Sequence, residues 1–75
     1  MPRMPRVTAR EAERAIMRDG WYVASSRGSH RQYRHPGKVG YVTIAHHRGV
    51  TLDIKTLKTI IDQAGLTVEQ FIALL

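Results

Sequence analysis

Apolar positions recur at helical spacing in two stretches of the chain and alternate with polar ones in a third stretch between them. Ala12, Ala15 and Ile16 form a stripe, with Arg10, Glu13 and Arg14 on the solvent side, so the spacing predicts a first helix. Thr8 precedes it as an N-cap and Glu11 stands three residues later as the capping-box partner, while Val7 and Ala12 take the two places of a hydrophobic staple. Gly20 predicts its end. Trp21 to Ser25 then reads as a strand, Ser26-Arg27-Gly28 as a turn, Ser29 to His35 as a second strand, Pro36-Gly37-Lys38 as a turn, and Val39 to His46 as a third strand. Asp53 is the expected N-cap of a second helix over Ile54 to Ala64, with Ile54, Leu57, Ile60, Ile61 and Ala64 as its stripe and Gly65 as its stop. Thr67 and Gln70 repeat the capping-box pattern and open a short last helix carrying Phe71, Leu74 and Leu75.

The predicted order is α-β-β-β-α plus a short C-terminal helix, an α+β fold. The short connections imply a three-stranded antiparallel sheet. Two helices on one face would bury Trp21, Val23, Tyr33, Val42 and Ile44 and leave the other face open. Period-two alternation sends His30, Gln32 and Arg34 to the face opposite Ser29, Arg31 and Tyr33, and Tyr41 and Thr43 to the face opposite Val42 and Ile44. With Tyr33 in the core, His30 points outward.

The 75 residues fit one domain over 7–75, preceded by a mobile basic tail over 1–6. Absence of cysteine excludes disulfides, thiolate catalysis and Cys-type zinc sites. No apolar run approaches the ~20 residues that span a bilayer, and the first residues lack a signal peptide's apolar stretch, so the expectation is a cytoplasmic protein with no membrane partner.

Charge changes the picture most. Net charge is +6, from twelve Lys/Arg and six Asp/Glu. No Asp or Glu lies between Gly20 and Leu52, while Arg27, Arg31, Arg34, Lys38, Arg48 and all four histidines do. An acid-free basic stretch is a phosphate-binding surface in the making. Arg27, Arg31, Arg34 and Lys38 are the phosphate-holding candidates, since a guanidinium fork binds two oxygens at once. Gly28 would let backbone approach a phosphate-bearing ligand, and Ser29 would donate to phosphate or shape the turn. Imidazole titrates near neutral pH, which suits His30 to proton transfer. Tyr22 and Tyr41 could stack on bases, and His46 is a secondary contact. His46 and His47 are adjacent on a strand and point apart, so neither a metal site nor a cofactor is expected. No helix-turn-helix pair is evident, so direct DNA binding is not expected.

Pro5 to Glu11, Asp19-Gly20-Trp21, Arg27-Gly28-Ser29-His30-Arg31-Gln32-Tyr33-Arg34-His35-Pro36, Val42 to His46, and Thr56 to Thr67 with Glu69 and Phe71 together resemble the HicA family of type II toxin–antitoxin toxins. Two positions depart from the family pattern: Ala45 stands where a proline is usual, and Lys55 where a glycine is usual. The resemblance implies a fold similar to a double-stranded-RNA-binding domain, in line with the element order above. It also implies an endoribonuclease that cuts messenger RNA and is silenced by a HicB antitoxin. The family's essential histidine falls on His30 and the glycine before it on Gly28. The alternative is a non-catalytic RNA-binding module of the same fold, which would need the basic surface but not His30.

Overall fold

The computed structural model describes residues 3–75. Its elements are α1 (Ala9–Arg18), β1 (Tyr22–Arg27), β2 (His30–His35), β3 (Lys38–Ala45), α2 (Ile54–Gln63) and α3 (Val68–Leu74). The strands form one antiparallel sheet in the order β1-β2-β3. The α+β architecture is as expected. The strand ends shift: Arg27 belongs to β1, the first hairpin turn is Gly28-Ser29, and His30 opens β2.

The helix caps are the predicted ones. Thr8 and Glu11 exchange both bonds of a capping box, as do Thr67 and Gln70, and Asp53 accepts from Lys55 N–H. Both longer helices stop in the same way. At the end of α1, Gly20 N–H donates to Met17 and Trp21 N–H to Ile16; at the end of α2, Gly65 N–H donates to Asp62 and Leu66 N–H to Ile61. This is the paired bonding of a Schellman motif, which satisfies carbonyls that the helix leaves open. Gly20 sits at φ 107°, and a Cβ there would lie 2.7 Å from His35 Nε2, so both conformation and space demand glycine.

The core contains Val7, Ala12, Ile16, Trp21, Tyr33, Val42, Ile44, Leu57, Ile60, Ile61 and Phe71, all buried. Helix packing on the sheet is concentrated on β3, and α3 closes against α1. Two expected core members fail. Val23 pairs with Tyr33 but remains 41% exposed, because β1 is an edge strand beyond the reach of the helices and its register slips between Val23 and Ser25. Ile54, in the first turn of α2, is exposed as well. Met1 and Pro2 of the expected tail lie outside the described residues, and Met4 packs against the core. Among the described residues no helix is long and apolar enough to cross a membrane.

Candidate functional site

Cross-strand pairs share a face, so the register decides which side chains can act together. His30 lies across from Arg27 on one side and Ala45 on the other; Gln32 lies across from Ser25 and Thr43; Arg34 lies across from Tyr22. These residues belong to the open face of the sheet. A groove there is lined by Ser25, Ser26, Arg27, His30, Gln32 and Thr43. His30 and Arg27 are exposed, and neither side chain has a hydrogen-bond partner among the described residues. The Gly28-Ser29 turn brings them together. Gly28 has φ 58° and Ser29 a negative φ, as a type II′ hairpin turn requires. Nothing lies within 4 Å of where a Gly28 Cβ would stand, so backbone conformation, not crowding, calls for glycine. Ser29 uses its carbonyl to accept from His46 N–H at 2.7 Å.

Further along the open face, the Arg34 guanidinium sits 5.0 Å from the Tyr41 ring centroid and donates to Gly40 O at 3.0 Å. Tyr22 and Tyr41 are 51% and 46% exposed.

Two of the expected phosphate ligands are engaged elsewhere. Arg31 lies on the helix side of β2, where it donates to Glu13 Oε2 at 2.8 Å. Lys38 bridges the ends of two helices, reaching Asp19 Oδ2 at 2.6 Å and Ala64 O at 2.9 Å. Neither joins His30. His35 is structural too: Nε2–H donates to Asp19 O at 2.6 Å and Nδ1 accepts from Gly37 N–H at 2.9 Å.

The helix side holds a cluster that the periodicity did not reveal. Glu13, expected to face water, turns inward beneath β2 and β3. Tyr33 Oη donates to Glu13 Oε2 at 2.5 Å and lies 2.8 Å from His46 Nε2, which is itself 3.5 Å from Glu13. Burial works to raise the Glu13 carboxyl, but the Tyr33 hydroxyl and the Arg31 guanidinium outweigh it and hold the group below its ordinary range. Burial and then the bond to Glu13 push the Tyr33 phenol upward. Burial lowers His46, against the opposing pull of Glu13 and with help from Arg31. One signal for Glu13 is present in the sequence: it stands four residues after Ala9 and three before Ile16, both buried, at the margin of the apolar stripe.

Among the described residues no group of three His, Asp or Glu side chains is arranged to hold a metal ion. A family model described as HicA toxin of bacterial toxin–antitoxin matches residues 9–66. No curated protein matches the chain.

Proposed function

The chain belongs to the HicA family of bacterial toxin–antitoxin toxins, and from that premise we propose that it is a metal-independent endoribonuclease that cuts messenger RNA through His30. Membership in that family implies an antitoxin partner; in this reading the partner is HicB-like, and RNA is met in the cytoplasm. The observation that carries the reading is the pairing of an exposed His30 with Arg27 across a tight hairpin, neither side chain bonded among the described residues.

The chemistry needs little more. RNA carries its own nucleophile, so a base that takes the 2′-hydroxyl proton starts attack on the adjacent phosphate, and an acid protonates the leaving 5′-oxygen. Imidazole can serve in either role, and a guanidinium stabilises charge that builds on the phosphoryl oxygens. The acid-free run from Gly20 to Leu52 lets the phosphate strand approach without repulsion. Arg34, Tyr41 and Tyr22 continue the same face and would hold flanking nucleotides. An acidic antitoxin surface laid over this face would block RNA by occupying the same cations.

His30→Ala is the test. RNA degradation with a chelator present should fall by about 10²–10⁴-fold, the usual contribution of one positioned acid or base, while RNA binding and growth of the culture on expression are retained. Equal cleavage by wild-type and variant protein sinks the assignment to His30, and RNA binding without cleavage by the wild-type protein leaves the RNA-binding module. Loss of wild-type cleavage on adding the chelator sinks the metal-independent step alone.

A further inference from the structure

A second groove opens on the helix side of the sheet, at the same end as His30. Arg10, Glu13, Arg31, His46, His47 and Arg48 line it. Arg31 is paired with Glu13. Arg10 and Arg48 are exposed and have no partner among the described residues, so the groove presents two uncompensated cations.

Hydrogen bonding fixes the role of His46 Nε2 within it. An ionised carboxylate only accepts, so Tyr33 directs its single proton to Glu13 Oε2. The phenol oxygen is then an acceptor toward His46, and His46 Nε2–H is the donor at 2.8 Å. In a neutral ring the other nitrogen, Nδ1, carries a lone pair. Nδ1 has no hydrogen-bond partner among the described residues, and it is not sealed off, because Trp21 Nε1 is the buried side-chain nitrogen left without a partner there. An accessible acceptor therefore belongs to a residue that lines the groove beside two free cationic donors, Arg10 and Arg48, and the exposed His47 imidazole.

That combination suits a ligand with an anion and a hydroxyl donor side by side. A carboxylate or a phosphodiester alone satisfies the arginines but brings no proton for Nδ1. A ribonucleotide brings both, its 2′-hydroxyl next to its 3′-phosphate, and a deoxyribonucleotide lacks the hydroxyl. We propose that this groove binds a ribonucleotide of the RNA strand, with Arg10 and Arg48 on the phosphate and His46 Nδ1 accepting from the 2′-hydroxyl, which makes His46 a residue that selects RNA over DNA. The assignment rests on the reading of the protein as an RNA-directed toxin, but it gives His46 no part in breaking a bond. His46 follows Ala45, the cross-strand partner of His30, so one strand bent round this end of the sheet reaches both histidines at different nucleotides.

The test uses His30→Ala protein, to keep the strand uncut, and compares binding of a short mixed-sequence single-stranded RNA with the same sequence as DNA by fluorescence anisotropy. RNA should bind more tightly. His46→Leu should lower the RNA-to-DNA affinity ratio by about fivefold, the effect of one net hydrogen bond. His46→Asn, whose side-chain oxygen can stand near the place of Nδ1, should keep most of the preference. An unchanged ratio in His46→Leu overturns the proposal, and so does equal weakening toward RNA and DNA. Should His46→Leu fail to fold, nitrogen-15 spectra of the His46 ring in the His30→Ala protein decide. An Nε2–H tautomer whose Nδ1 signal moves with RNA but not with DNA supports the assignment, and an Nδ1–H tautomer overturns it. Competition by poly-glutamate that depends on Arg10 and Arg48, with no preference for RNA over DNA, overturns it in favour of a protein-binding surface. Cleavage is followed on a gel in the same samples, so continued cutting by His30→Ala counts against the catalytic reading alone.

Discussion

His30 and His46 stand at the same end of one sheet, on opposite faces, and their surroundings differ in kind. His30 opens β2 in an exposed groove with no bond to its ring among the described residues. His46 lies one residue past the end of β3, bound through Nε2 to Tyr33, which is bound to Glu13, which is bound to Arg31. An unbonded imidazole is available to substrate and adds little to the fold. A bonded one fixes its tautomer and helps hold α1 against the sheet. The difference teaches that a histidine's place in the sequence says less about its work than the number of its bonds already taken.

The largest effect that would break this comparison is in stability. Tyr33→Phe keeps the buried ring but removes the hydroxyl that serves both Glu13 and His46. Leaving part-buried polar partners unmatched should cost about 1–3 kcal/mol. In a domain this small each kcal/mol moves the melting temperature by roughly 4–8 °C. His30→Ala should stay within about 0.5 kcal/mol of wild type, as surface changes usually do. Thermal unfolding of the two variants measures both, and equal losses would mean that His30 is held by the fold after all.

A smaller effect is the dependence of stability on pH. Burial lowers the His46 imidazole from its ordinary value of 6.5. As pH falls below that value the unfolded chain takes up a proton that the folded protein resists, so stability declines. Glu13 acts in the same direction further down. Its carboxyl is held below 4.5, and the stability it contributes above the carboxylate range is lost as pH falls through its lowered value. Chemical denaturation across pH should therefore show a fall beginning near neutrality and a second at acid pH. His46→Leu should remove the first and keep the second. A profile in which both variant and wild type fall alike would assign the upper transition to another group.

Much of the fold was legible because its signals are local. Two capping boxes, two glycine stops and the alternation of Tyr33, Val42 and Ile44 each depend on residues a few positions apart, and each appears in the structure. Alternation also put His30 on the outer face. What could not be read depends on which element covers which. Val23 has the pattern of a core strand residue, yet the helices sit over β3 and leave it exposed. Arg31 and Arg34 look equivalent in the sequence. One pairs with Glu13 of α1 and the other lies over Tyr41, because they face opposite ways. Lys38 looked like a free cation beside a turn, but the ends of α1 and α2 converge on it. The resemblance pointed to His30; the cluster of Glu13, Tyr33 and His46 needed the packing of α1 on the sheet to become visible.

The finest distinction lies between Arg27 and Arg31, which a sequence view treats as two equal phosphate ligands flanking His30. Arg27 is exposed, has no partner among the described residues and stands directly across from His30. Arg31 is on the other face and already neutralised by Glu13. A phosphate contact to a single strand adds about 0.7 to the slope of log affinity against log salt. Binding of RNA to His30→Ala protein, titrated over a series of potassium chloride concentrations, should lose about that much slope when Arg27 is also changed to alanine. The melting temperature should not move. Arg31→Ala should do the reverse: it strips Glu13 of a charge partner, lowering the melting temperature, and changes the slope by less than Arg27→Ala. Equal slopes for the two variants would mean that RNA is held by the charge of the whole domain, and not by the face on which His30 stands.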